Sequence, residues 1–151
     1  MTEITTKTKN ILHVTFDMRI GGTEMVIKNI IEGNTNASHK MSIFCIEEPL
    51  GPWGIDMQAA GIEVNSVARK EGFDVSVIKT LRRHIKANKI DILHCHQYTP
   101  WVYGWFAAWG TKSKVVFTEH GRFYPDRYRV KAWPLNVLMG HTTAAMMAIS
   151  E

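Results

Sequence analysis

The feature that most constrains this chain is a regular alternation of short apolar runs with longer segments of helical periodicity. Runs at 11–16, 41–46, 62–67, 90–94, 115–118 and 145–149 are brief and mostly apolar, several of them rich in β-branched or aromatic residues, which predicts strands. Between them, segments 23–32, 55–60, 75–88, 101–109 and 132–140 carry the longer helical patterns. Stretches such as Ile90-Asp-Ile-Leu-His and Lys114-Val-Val-Phe-Thr are apolar enough for strands buried on both faces. A repeated strand–helix–strand rhythm predicts an α/β fold, a Rossmann-like parallel sheet with helices on both faces. Asp74 stands where the third helix needs an N-cap, and Gly33, Gly61 and Gly110 stand where C-terminal caps are expected.

The length, 151 residues, predicts one domain over 1–151, and 45% hydrophobic with 21% charged residues excludes a disordered or fibrous chain. Cys45 and Cys95 sit inside strand-like runs, which reads as reduced cysteines in a cytoplasmic protein. The polar opening carries no signal-like segment, and no uncharged apolar run approaches the ~18 residues of a spanning helix. A net charge of +4 suits phosphate-bearing ligands or peripheral contact with an anionic membrane, and is too small to point to nucleic acid. The last residues, Met146-Met-Ala-Ile-Ser-Glu, read as a strand followed by Ser150 as the N-cap of a further helix. The expectation is therefore a chain that continues past Glu151. A last strand left uncovered would present apolar surface, enough to bring two copies together.

In an open parallel sheet, ligands bind beyond the carboxyl ends of the strands, where the strand order reverses. After the first strand comes Asp17-Met-Arg-Ile-Gly21-Gly22-Thr23-Glu24, a glycine pair leading into a helix whose free N–H groups suit an anion. It is neither Gly-x-Gly-x-x-Gly nor a P-loop, which weighs against a nicotinamide cofactor or a nucleotide triphosphatase. After the fourth strand come His94, Cys95 and His96, with the two histidines on one face and Cys95 on the other. The fifth ends in Thr118-Glu-His120-Gly-Arg122, with Arg127 and Arg129 close behind. A 3-2-1-4-5 strand order would bring the glycine pair, His94, His96 and His120 to one crevice.

Three readings of these histidines stand side by side: structural hydrogen bonding, a zinc-like set, and contact or proton exchange with a polar substrate. No carboxylate or thiolate stands at ligand spacing, so no metal is assigned. Arg122 offers donors to phosphate or carboxylate. Trp101, Trp105 and Trp109 form a stripe that reads as core or subunit contact, and Arg82, Arg83, His84, Lys86 and Lys89 form a basic helix end that reads as solvated.

Together these residues resemble a known family. Ile11-Leu-His-Val-Thr-Phe-Asp-Met-Arg-Ile-Gly-Gly-Thr-Glu is similar to the first strand and glycine loop of the retaining glycosyltransferases of family 4. Asp91-Ile-Leu-His-Cys-His-Gln-Tyr-Thr-Pro and Val115-Val-Phe-Thr-Glu-His-Gly-Arg resemble the ends of that family's fourth and fifth strands. The resemblance implies the N-terminal, acceptor-side half of a GT-B fold, whose donor-binding half would lie beyond Glu151. It implies a hexosyl-type transferase, using a nucleotide-diphosphate sugar and a glycan or lipid-linked acceptor, with no cofactor and no metal. It assigns Gly21 and Gly22 to the donor diphosphate, His120 to the catalytic contact, and His96, Glu24 and Arg122 to the acceptor side or cleft. It further implies front-face attack, with the donor phosphate taking the acceptor's proton, and a chain that alone would not turn over. The alternatives from other classes are a non-catalytic sugar- or phosphate-binding module and a histidine-based metallohydrolase.

Overall fold

The computed structural model describes residues 7–35, 38–121 and 130–149. The elements run β1 (Asn10–Thr15), α1 (Gly22–Gly33), β2 (Lys40–Cys45), α2 (Pro52–Ala59), β3 (Val64–Ser66), α3 (Val75–Ala87), β4 (Ile92–His96), α4 (Tyr98–Ala108), β5 (Lys114–Glu119), α5 (Trp133–Thr142) and β6 (Ala145–Ala148). All five strand pairs are parallel, in the order β3-β2-β1-β4-β5-β6. The order reverses between β1 and β4, which is where a crevice opens in such a sheet.

Strand alternation divides the core in two. Leu12, Val14, Phe44, Leu93, Cys95, Val115 and Phe117 pack with Val77, Leu81 and Ile85 of α3, the apolar side of α4, and Met139 of α5. Ile43, Cys45 and Val64 meet Ile27 and Ile31 of α1 and Met57 of α2. Helices thus cover both faces. The tryptophan stripe proves to be core for two of its members. Trp101 and Trp105 are buried, and their indole N–H groups donate to the hydroxyls of Thr143 and Thr142 at 3.0 and 2.8 Å. Trp109 is exposed. Among the described residues no helix is long and apolar enough to cross a membrane, and both cysteines are free and buried.

Asp74 caps α3 by accepting from the Ser76 amide at 2.9 Å. Gly61 and Gly110 take positive φ of 87° and 70°, as glycines following a helix do. Gly33 differs: it is the last residue of α1 itself, and Asn34 caps that helix. α4 begins at Tyr98 rather than Trp101, because Gln97, with φ of 70°, turns the chain directly from β4 into the helix. The β3 strand is shorter than its apolar run, and Pro52 starts α2 at a position where a missing N–H costs nothing. On β6, Met146 and Met147 are exposed.

Candidate functional site

The site lies at the carboxyl ends of β1, β4 and β5. β1 and β4 pair with His13 opposite His94, so both rings stand on the same face of the sheet. His96, two residues on, joins them, and His120 follows the end of β5. The rings touch: the centroids of His94 and His96 are 4.1 Å apart, and those of His96 and His120 5.1 Å. Two contacts join ring nitrogens directly. His13 Nδ1 lies 3.1 Å from His96 Nε2, and His96 Nδ1 lies 2.8 Å from His120 Nε2. His94 Nε2 is held by the Thr118 hydroxyl at 2.8 Å.

These rings are neutral near pH 7. Burial, followed by the charge of His94, pushes His13 down to about 3. Burial and then His120 push His94 down to about 4. His96 is lowered by burial first and by its three ring neighbours after that, and burial lowers His120. A charged ring at His13, His94 or His96 would lose its water and meet other imidazoles.

His13, His94 and His96 bring ligand-capable nitrogens within 4.8 Å of one another, a spacing compatible with a metal ion. His13 and His96 are 1% and 0% exposed, however, and a catalytic metal needs a coordination position open to substrate. The trio in that place fits a hydrogen-bonded network better than a hydrolytic centre.

The glycine pair opens α1. Gly21 is its N-cap and has no side chain to cap the helix, which leaves the Gly22 and Thr23 amides without a capping side chain. A Cβ on Gly21 would come within 2.5 Å of Glu24 Oε2, whereas a Cβ on Gly22 would meet nothing within 4 Å. A side chain at Gly21 would therefore have to displace the Glu24 carboxylate, the movable end of a flexible side chain, and Gly22 leaves open space at the helix terminus. Glu24 is buried against this turn, where burial raises its pKa against the opposing hydrogen bond from its own backbone amide, with Asp17 adding to the rise. Burial also disfavours the charge of Asp17, but hydrogen bonds from Arg19 outweigh it and hold the carboxyl below its ordinary range. Gln97 ties the two halves of the site together, its side chain donating to Thr23 Oγ1 at 3.0 Å while its amide donates to the Thr118 carbonyl at 3.0 Å.

Two of the residues assigned from sequence to the cleft lie elsewhere. His96 sits beneath the rim, because the turn at Gln97 and the rings of His13, His94 and His120 enclose it. Glu24 is folded under the glycine turn rather than aimed at the crevice. His120, half-buried, stands at the rim, and Arg122, Arg127 and Arg129 lie outside the described residues. His13 escaped the sequence reading. Its signal was the alternation in β1, where Leu12 and Val14 take the helix-covered face and leave His13 and Thr15 on the face of His94. A separate groove of about 450 Å³, lined by Trp105, Trp109, Lys114 and Thr142, opens at the opposite ends of the strands and gathers no reactive groups.

The sequence profile of Glycosyltransferase Family 4 matches residues 20–151. No curated protein sequence matches the chain significantly. Among solved structures, a glycosyltransferase from Rickettsia africae is similar with a TM-score of 0.74 at 18% identity, covering 93% of this chain and 36% of that one. MurG of Acinetobacter baumannii is similar with a TM-score of 0.65 at 13% identity over 95% of this chain and 42% of its own. HepE of Anabaena, solved with UDP and glucose, is similar with a TM-score of 0.65 at 15% identity over 90% of this chain and 37% of its own. The chain thus spans about two-fifths of the length of these structures. With its matching profile and its six-stranded parallel sheet, the chain belongs to glycosyltransferase family 4 and has the Rossmann-like fold of a GT-B domain.

Proposed function

We propose that this chain is the acceptor-side half of a hexosyl-type glycosyltransferase. The complete enzyme transfers a sugar from a nucleotide-diphosphate donor to a glycan or lipid-linked acceptor with retention of configuration. The observation that carries the reading is the family match over 20–151, which takes in the glycine pair and the ends of β4 and β5. The UDP and glucose in the HepE structure favour a uridine diphosphate donor.

The chemistry follows from the site. Breaking a sugar–diphosphate bond builds negative charge on the leaving phosphate, and fixed dipoles aimed at that charge lower the barrier. The amides at the start of α1 are such dipoles, and the space at Gly22 lets phosphate approach them. His120 stands across the switch point and bonds the transferred sugar or the incoming hydroxyl. In front-face transfer the acceptor's proton passes to the donor phosphate, so this half supplies alignment and charge stabilisation rather than a nucleophile. The groups that read the donor sugar and its nucleotide belong to the other half of a GT-B fold.

Replacing His120 by alanine in the assembled two-domain enzyme is expected to lower sugar transfer from a UDP-sugar about tenfold or more, as loss of a transition-state hydrogen bond does. The measurement is the initial rate at saturating donor and acceptor. An unchanged rate would remove His120 from the mechanism.

A further inference from the structure

The His13–His96–His120 contacts form a line from the interior of the sheet to the rim of the crevice. Both contacts join ring nitrogen to ring nitrogen, and a neutral imidazole carries one proton on one of its two nitrogens. Each contact therefore needs one proton, supplied by one of its two rings. Three neutral rings hold three protons. Two occupy the contacts, and the third sits at one end of the line, on His13 Nε2 or on His120 Nδ1.

The two ends are unlike. His13 Nε2 is buried and finds no partner among the described residues. A proton there would be a buried N–H with nothing to accept it, the rarest kind of unsatisfied group, whereas a bare lone pair is the lesser defect. His120 is half-buried at the rim, and among the described residues nothing bonds its Nδ1. A proton on that nitrogen is free to meet water or a ligand.

From this geometry we infer that His13 and His96 are positioning residues that fix His120 as its Nδ1–H tautomer, so that it presents a hydrogen-bond donor to the crevice. His13 Nδ1–H donates to His96 Nε2, and His96 Nδ1–H donates to His120 Nε2. All three rings share a tautomer opposite to the Nε2–H form that free imidazole side chains favour. The inner end is sealed from water, so the line does not reverse by relay: reversal needs a proton delivered to His13 Nε2. The partner class for His120 Nδ1–H is an acceptor oxygen, such as a sugar hydroxyl or a phosphate. This last step rests on the proposed transferase reading, while the tautomer assignment rests on the rings alone.

The test is long-range proton–nitrogen NMR of the histidine-labelled protein near pH 7.5, which distinguishes protonated from bare ring nitrogens. The expected result is a protonated Nδ1 and a bare Nε2 at His13, His96 and His120, with scalar coupling across both nitrogen–nitrogen contacts. Nε2–H at His120, or a mixture of tautomers, would overturn the inference. The variant His96→Phe removes the donor to His120 Nε2 and is expected to return His120 to a majority of Nε2–H; an unchanged Nδ1–H form would deny His96 its role. Where that variant does not fold, the protonated or bare state of each wild-type ring nitrogen decides alone. In the transfer assay, His120→Asn keeps an N–H at the place of Nδ1 and is expected to lose several-fold less rate than His120→Ala. Equal losses would overturn the donor role. Because the NMR result is independent of turnover, a protein without transferase activity would refute the proposed function and leave the tautomer assignment standing.

Discussion

Lowering the pH from about 7.5 to about 5.5 is expected to remove about 4 kcal/mol of folding stability through the histidine cluster alone. An unfolded histidine titrates near its ordinary 6.5, whereas folded His13 and His94 protonate only at about 3 and about 4, and folded His96 is likewise lowered. As pH falls through 6.5 the unfolded chain takes up protons that the folded chain refuses. Stability is thus fully present above that value and declines steadily below it. Each ring contributes about 1.4 kcal/mol over this interval, and three rings give the total. The decline ends only when the folded rings themselves protonate, near 4 and 3 for His94 and His13. Because burial is the leading cause for each ring, added salt should restore little of the loss. Urea midpoints at the two pH values measure it. A difference below about 1 kcal/mol would show that the rings are solvated or charged in the folded chain.

The second large effect is at Gly51, where alanine is expected to cost about 3 kcal/mol. Gly51 has φ of −69° and ψ of 168°, which any residue adopts, so conformational freedom is not the reason. A Cβ there would overlap the backbone of Met18 and Arg19. That backbone has little room to yield. Met18 is fully buried at φ of 58°, the Gly51 amide donates to the Asp17 carbonyl at 2.6 Å, and the Gly54 amide donates to Met18 at 3.3 Å. The displaced segment leads into Gly21 and Gly22, so the substitution also disturbs the start of α1. Gly22→Ala, with open space around it, should leave stability nearly unchanged. Denaturant titration of both variants checks the contrast. A cost below about 0.5 kcal/mol at Gly51 would mean that the 17–19 loop shifts freely.

What the sequence disclosed, and what it withheld, follows from the range of each interaction. β1, β2, β4 and β5 were legible because buried parallel strands are written as compact apolar runs, and Asp74 because a helix cap is a local contact. The start of α4 was not, since the signal at Gln97 is a positive φ held by contacts with Thr23 and Thr118, both distant in sequence. The shared face of His94 and His96 was predictable from strand alternation. Neither the burial of His96 nor the part played by His13 was, because both depend on the register of β1 against β4, which places His13 opposite His94. Spacing marks residues near strand ends; it does not separate a ring on the rim from one beneath it. The glycine pair shows the same limit. Only the folded turn reveals that the Glu24 carboxylate lies against Gly21 while Gly22 has open space around it.

On the proposed reading, the start of α1, across the switch point from His120, receives the diphosphate of a sugar nucleotide. Titrating the nitrogen-labelled protein with UDP at millimolar concentration, and following amide and histidine ring signals by NMR, tests it most directly. The largest changes are expected on Gly21, Gly22, Thr23 and His120, and Gly22→Ala is expected to weaken them without unfolding the chain. Changes centred on the Trp105–Thr142 groove, or none at the glycine turn, would contradict it.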